Sequence, residues 1–445
     1  MLKIFREFFN KPAVLRFSAL AASSYVLLGA RFAGVFILRF VLDPVAVGIV
    51  NSAQIFAQIF ASLTGGTFYI AARKLPITTV GERGTLAWSH IAVNMIEGLI
   101  LIIPATLLLF FFGLGTLSLS AVVAVSIAFF ALGLRLAGLV ESLLMATGSS
   151  YLASLIRVAH VFELCFALVV AEISGVAAYL MVFAFFSFII ALISLRALPC
   201  KNLSRISVIQ ALKFSQYGLE ISIEKLIGTF SNAMDSIMVT AFGGPMALAG
   251  YYIGVSTRGA ITNLVSTLYW AVWPDAVQQY DSGKINIFEQ WRAGVIFVIS
   301  FLIFTIMARL LLEIGIRFYL PAYAHFLPSI GIVLASTVPF ALVDWDRARL
   351  VINRRTAILP FTSSAAIASF LILFFLFNKN GLEAVAICEL VAKCTFLAKT
   401  TQVVISRVYI GCYCYSGEFP IITAASFASI LLAFWLQIIF TIYLI

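Results

Sequence analysis

The amino-acid sequence predicts an all-α polytopic membrane protein, with about 12 to 13 transmembrane helices in two six-helix halves around a central cavity. Three observations predict it. Of 445 residues, 62% are apolar and 11% charged, where soluble domains run near half and a quarter. Apolar runs of roughly 20 residues or more, the length that crosses ~30 Å of hydrocarbon, recur from one end of the chain to the other. Lys and Arg gather on alternate connections, as the positive-inside rule describes. A soluble enzyme, a secreted disulfide scaffold and a disordered factor are excluded.

The first apolar run follows Lys3, Arg6, Lys11 and Arg16 and continues to about Val41. Ala19-Leu20-Ala21 mimics a signal-peptidase site but lies early in that run, so 13–41 reads as an uncleaved span with the N-terminus in the cytoplasm. Further spans are expected at 45–71, 85–112, 117–146, 151–171, 174–197, 209–241, 246–272, 289–316, 325–350, 357–377, 381–405 and 419–445. Inside connections and their flanks then carry Arg73, Lys74 and Arg83; Arg196, Lys201, Arg205 and Lys213; Lys284 and Arg292; Arg347, Arg349, Arg354 and Arg355; and Arg407. Outside ones carry little beyond Arg39, Arg317 and Lys379. The net charge of +10 thus belongs to membrane orientation, and no nucleic-acid partner is expected. Cys165, Cys200, Cys388, Cys394, Cys412 and Cys414 follow no zinc or redox spacing.

The chain divides near 200, in the basic stretch 196–205. Residues 1–200 form an expected N-terminal six-helix bundle and 201–405 a C-terminal one, with 406–445 an additional helix. The turn Leu42-Asp-Pro-Val-Ala-Val-Gly48 is echoed at the same point of the second half by Gly243-Gly-Pro-Met-Ala-Leu-Ala-Gly250, as expected of a duplicated carrier with its site between the repeats. No connection is long enough for an extramembrane domain, and no GxxxxGK[ST] phosphate loop occurs. No metal site, nucleophile–base pair or paired glycosidase carboxylates can be assembled, so no enzyme activity and no bound cofactor are expected.

Charge at mid-bilayer costs about 2.5–3.5 kcal/mol even on the lenient insertion scale, so intramembrane polar residues should face protein or water. At ~100° per residue, Asn51, Gln54, Gln58, Ser62, Gly65 and Tyr69 share one face of the second span. Tyr217, Glu220, Glu224, Gly228, Ser231 and Asp235 share one face of the seventh, with Lys225 and Asn232 beside it. Asp235, Glu224 and Glu97 are candidates to bind a coupling proton or sodium ion; pairing of the seventh-span acids with Lys213, Lys225 or lipid headgroups is the competing reading. Arg31 in the first span and Arg258 in the eighth, aligned with Tyr251, Gly254, Thr262 and Tyr269, suit an anionic ligand because a guanidinium stays charged and forks onto phosphate oxygens. The alternative is their neutralisation by Glu97, Glu224 or Asp235. His90, Asn94 and Glu97 align in the third span, and Arg157, His160 and Glu163 in the fifth; an intramembrane His is more often a packing residue than a proton relay. Arg135, Glu141, Arg309 and Lys393 read as paired or snorkelling.

With these halves, the basic stretch between them and the Leu-Asp-Pro-x-x-x-Gly-like turn, the chain resembles the polysaccharide transporters of the multidrug/oligosaccharidyl-lipid/polysaccharide (MOP) superfamily, and within it the Wzx-type O-antigen flippases. Leu212-Lys-Phe-Ser, Asp235, Gly243 to Tyr251, Trp273-Pro274 and Asn380-Gly381-Leu-Glu-Ala384 carry the likeness, which covers most of 10–405. It implies a MATE-like fold and a flippase that moves undecaprenyl-pyrophosphate-linked oligosaccharide across the bacterial inner membrane by alternating access, driven by a proton or sodium gradient. It implies Arg31 and Arg258 as the cations that meet the pyrophosphate, Arg157 and Lys225 as weaker ones, Asn51, Gln54, Gln58 and Tyr251 as polar lining, and membrane lipids, a polysaccharide polymerase and a chain-length regulator as partners. The extra apolar run at 419–445 departs from the family's usual twelve spans. A cation-coupled multidrug antiporter on the same fold and a non-transporting membrane assembly protein are the alternatives; the first would need an acidic, aromatic-walled cavity, which Arg31 and Arg258 oppose.

Overall fold

A computed structural model describes residues 11–62, 73–78, 80–112, 121–198, 219–283, 291–353, 358–377 and 385–387. Helices α1 (Lys11–Val41), α2 (Pro44–Ala61), α3 (Val80–Phe112), α4 (Ala121–Ala146) and α5 (Ser150–Ser194) precede the division near 200. After it come α6 (Leu219–Met238), α7 (Gly244–Asp281), α8 (Trp291–Tyr319), α9 (Leu327–Ala335), α10 (Thr337–Ile352) and α11 (Leu359–Phe377). No strand occurs among the described residues, where nine stretches are long and apolar enough to cross a membrane. The chain is a multi-pass membrane protein.

Every expected span up to residue 377 has its helix. Nine stretches hold more spans than their number because two of them contain a reversal. In α5 the backbone at Gly175 has φ 78°, ψ −166°, a conformation open mainly to glycine. On a continuous helix residues 20 apart would be ~30 Å apart, yet the rings of Phe166 and Phe186 lie 5.1 Å from one another, so the arms 150–174 and 176–194 run side by side in opposite directions. A second stretch, Ala233–Asn263, reverses at Gly244 (φ 77°) after a π-helical turn over Val239–Gly243. The span 381–405 is described only at 385–387, and 419–445 lies outside the described residues.

The two echoed turns prove to be helix starts. Asp43 caps α2, its Oδ1 accepting from the amides of Val45 and Ala46 at 2.9 Å, with Pro44 in the first position, where its missing N–H loses nothing. Gly244-Pro245 opens α7 with its proline likewise in the first turn, but without a side-chain cap. The two starts also meet: α2 packs so closely at Gly48 that a Cβ there would collide with the Pro245 backbone.

Lipid offers no hydrophobic drive for helix association, so packing and polar contacts hold the bundle together. Large apolar side chains such as Phe111 and Ile173 (74% and 77% exposed) face outward toward lipid, and small residues allow close approach within. At Gly133, for instance, α4 abuts the backbone of Ser187 and Phe188 in the second arm of α5. Between the halves, α7 lies antiparallel to α1. Ser24 hydrogen-bonds Thr267 at 2.9 Å, and Arg16 reaches the Ala271 carbonyl at 3.2 Å and Asp275 at 2.5 Å. At the far end of α1, Arg39 donates to the Ala249 carbonyl. At 38 residues α7 runs ~57 Å, longer than the hydrocarbon is thick, and its end carries Asp275 and Asp281.

Candidate functional site

Between Ser24 and Arg39 the α1–α7 seam opens. Opposite Arg31, α7 presents Gly259 and Ala260, and the room they leave is part of a cavity of about 480 Å³, within the ~300–1,000 Å³ usual for ligand sites. Its wall is shared by both halves: α1, α2, α4 and both arms of α5 on one side, α7 and α10 on the other. Asn51, Gln54 and Gln58 form one polar strip, Thr262 and Asn263 another, while Leu38, Phe130, Leu134, Leu164 and Phe183 supply apolar surface.

Arg31 is exposed to this space. Among the described residues it makes no hydrogen bond or ion pair, although it lies in the electrostatic reach of Tyr179 and Tyr252, which also line the cavity. Two neutral groups on the same wall are unmatched in the same sense: the Asn51 side-chain amide nitrogen and the Tyr179 hydroxyl are buried and have no hydrogen-bond partner. Leaving such groups unpaired costs about 1–3 kcal/mol each. A wall built this way is complementary to a solute that brings acceptors. Asp344, the acid in the described lining, is 3.4 Å from Arg347.

The other residues singled out from sequence lie elsewhere. Arg258 points away from the cavity, into the second half. It is 4% exposed, pairs with Asp235 at 3.5 Å, donates to Ser336 Oγ at 3.1 Å and lies 4.0 Å from the centre of the Phe340 ring. Tyr251, fully buried, donates to the same Asp235 carboxylate at 3.0 Å. Ser336 occupies the break between α9 and α10, so the cluster joins α6, α7 and that break. Arg157 is buried against Glu141 and Ser24. Glu97 is 3.6 Å from Arg135, which also donates to the Asn94 carbonyl and side chain at 2.8 and 3.2 Å. Glu224 and Lys225 belong to α6, but their side chains lie outside the described residues. Of the four expected cavity cations, Arg31 is thus the one the structure places in the described wall. Tyr179, Tyr252, Asn263 and Asp344 were not foreseen. Asp344 had a signal, an acid near the end of an apolar run that also carries Asp346, Arg347 and Arg349.

Both ends of the inter-half seam are bridged by arginines. At one end are Arg16–Asp275 and Arg73–Asp281, the latter at 3.3 Å, with Arg73 also donating to the Ile352 carbonyl. At the other, Arg39 bonds Ala249 and stacks 5.4 Å from the centre of the Tyr323 ring. Opening either end requires these contacts to part. Among the described residues, no three His, Cys, Asp or Glu side chains are grouped to hold a metal ion.

No protein-family model matches the chain, and no curated protein matches it. Solved structures do. A eukaryotic MATE transporter is similar with a TM-score of 0.63 at 15% identity, over 95% of this chain and 98% of that one. A Vibrio cholerae MATE transporter is similar with 0.61 at 12% identity, over 89% and 99%. The lipid II flippase MurJ, in an inward closed conformation, is similar with 0.57 at 13% identity, over 94% and 98%. At such identities the likeness establishes the fold, which is the one these MATE transporters and this flippase have.

Proposed function

We propose that this chain is a flippase for a lipid-linked, phosphate-bearing sugar, undecaprenyl-pyrophosphate-linked oligosaccharide, working by alternating access in the bacterial inner membrane with its N-terminus in the cytoplasm. The observation that carries this reading is Arg31: an exposed guanidinium with no ion-pair partner among the described residues, in an amide-rich part of an inter-half cavity. In that role Arg31 forks onto phosphate oxygens, and Asn51, Gln54, Gln58 and Tyr179 hydrogen-bond sugar hydroxyls. A solute of this class satisfies the unmatched donors and the cation together. The polyprenyl chain stays in lipid, where the apolar outer faces of the helices are no worse a neighbour than other lipid tails. A proton or sodium gradient supplies the energy, and its electrical part, negative inside, favours outward movement of an anion. Asp235, Glu224 and Glu97 remain candidates for the coupling site, Asp235 now with Arg258 as its counter-ion. A polymerase and a chain-length regulator are the partners expected downstream.

The multidrug antiporter is the competing reading, since MATE transporters share the fold. An organic cation would meet Arg31, and the acid it would need, Asp344, already has Arg347 beside it. Reconstituted into liposomes, the purified protein should move a fluorescent polyprenyl-pyrophosphate-linked sugar between leaflets. Movement of fluorescent cationic drugs and not of this lipid would reverse the assignment.

A further inference from the structure

Beside the main cavity, and sharing Arg31, Phe130 and Phe183 with its wall, lies a chamber of about 20 Å³ that also contacts His160, Glu163 and Ser187. That volume admits one water molecule. Glu163 and His160 stand one turn apart on the first arm of α5, with Glu163 Oε2 2.5 Å from His160 Nδ1. Glu163 is 2% exposed. Ser187, on the second arm, is fully buried, and its hydroxyl has no hydrogen-bond partner although it borders the chamber. The chamber is thus a small pocket among apolar side chains, with a carboxylate–imidazole pair and the Ser187 hydroxyl on one side and Arg31, which has no ion-pair partner among the described residues, on the other.

The charged groups around it are accounted for. From α1 comes Arg31; Arg157, a turn before His160, is taken up by Glu141 of α4 and by Ser24. Arg135 of α4 is taken up by Glu97 and Asn94 of α3. The second arm of α5 contributes Tyr179, which lies in the fields of Glu163 and Arg31, and α7 contributes Tyr252, in the field of Arg31. Glu172 is exposed near the Gly175 turn, and α2 presents the neutral Asn51, Gln54 and Gln58. The carboxylate that shares a pocket with Arg31 is Glu163, with the His160 ring as its partner.

From this geometry we infer that the Glu163–His160 pair is a proton site linked to anion binding at Arg31, the proton and the anion each favouring the other's presence. The inference rests on the reading that Arg31 receives a phosphate. With neutral His160 and ionised Glu163, the pair carries one negative charge and holds part of the field of Arg31. An arriving anion places further negative charge in the same poorly solvated space, and the pair relieves the repulsion by taking one proton from water, becoming neutral overall. Protonation in turn frees Arg31 for the incoming phosphate. Carried outward with the head group, this proton moves against the chemical part of an inward proton gradient, so the outward step draws on the inside-negative potential, which favours it because a diphosphate carries more charge than the proton cancels.

Inorganic pyrophosphate binding to the full-length protein in lipid nanodiscs, measured by calorimetry in two buffers of different ionisation enthalpy, tests this by counting protons. At equal pH, wild type should take up about one proton more than Glu163→Gln on binding, and above neutrality its affinity should fall up to tenfold per pH unit relative to that of the variant. The variant, which lacks the carboxylate charge but keeps the His160 imidazole, should keep binding with this added pH dependence reduced; His160→Gln should shift the dependence to lower pH. Equal proton counts in wild type and both variants overturn the proton site while leaving Arg31 as an anion site. Failure of wild type to bind pyrophosphate at all overturns both.

Discussion

Replacing Arg31 by glutamine should reduce transport of the lipid-linked sugar by roughly 30- to 150-fold, while the protein accumulates in the membrane as wild type does. The size follows from the loss of a charge-assisted contact to phosphate, about 2–3 kcal/mol, at tenfold per 1.4 kcal/mol. Normal accumulation follows from the absence of a direct ion-pair partner for Arg31 among the described residues: the buried acid that shares its pocket, Glu163, keeps His160 as its direct partner when the charge is removed. Arg31→Lys should fall between, since lysine keeps the charge and loses the planar fork. Export per molecule of protein, with abundance measured in parallel, separates the two effects. Full export by a normally abundant Arg31→Gln protein would remove Arg31 from the substrate site.

Arg258→Gln should behave in the opposite way, losing the protein before it loses the chemistry. Its guanidinium is buried against Asp235, which is completely enclosed and also holds Tyr251. Breaking a buried pair by removing one partner leaves an uncompensated charge and costs about 3–5 kcal/mol, enough to lower the melting temperature in detergent sharply and to deplete the protein from membranes. Asp235→Asn should do the same by stranding Arg258. The double change Asp235→Leu with Arg258→Met removes both charges and should recover much of the stability, because apolar replacements of buried pairs are often neutral or better. Recovered abundance with no transport would assign Asp235 to ion coupling; recovered abundance with transport would make the cluster purely structural.

The contrast between these two arginines shows how far the sequence could be read. The helices were legible because apolar length is a strong signal, and the polar face of the second span was legible because Asn51, Gln54 and Gln58 interrupt an otherwise lipid-compatible helix. On the eighth span the aligned set of Tyr251, Gly254, Arg258, Thr262 and Tyr269 divides: Tyr251 and Arg258 turn toward Asp235 inside their own half, while Thr262 lines the cavity. The cavity takes the adjoining face, with Tyr252, Val255 and Gly259. One residue is ~100° of rotation, and periodicity does not say which of two polar faces a neighbouring helix will cover. The side chains that accept from Arg157 and Arg135 are 16 and 41 residues away for Glu141 and Asn94, so pairing depended on packing that no local pattern encodes. The turn at Gly175 was anticipated from the break between two apolar runs. The break at Ser336 was not, although Ser336-Thr337-Val-Pro339 stands at the middle of the run 325–350 as a signal for it.

The central claim is that the inter-half cavity carries a lipid-linked sugar from the inner leaflet to the outer. Leaflet assignment of lipid-linked oligosaccharide in cells lacking this protein tests it most directly, with any second flippase removed from the strain. The account predicts that the intermediate accumulates in the cytoplasmic leaflet and that surface polysaccharide is lost. Intermediates distributed normally between leaflets, with surface polysaccharide intact, would contradict it.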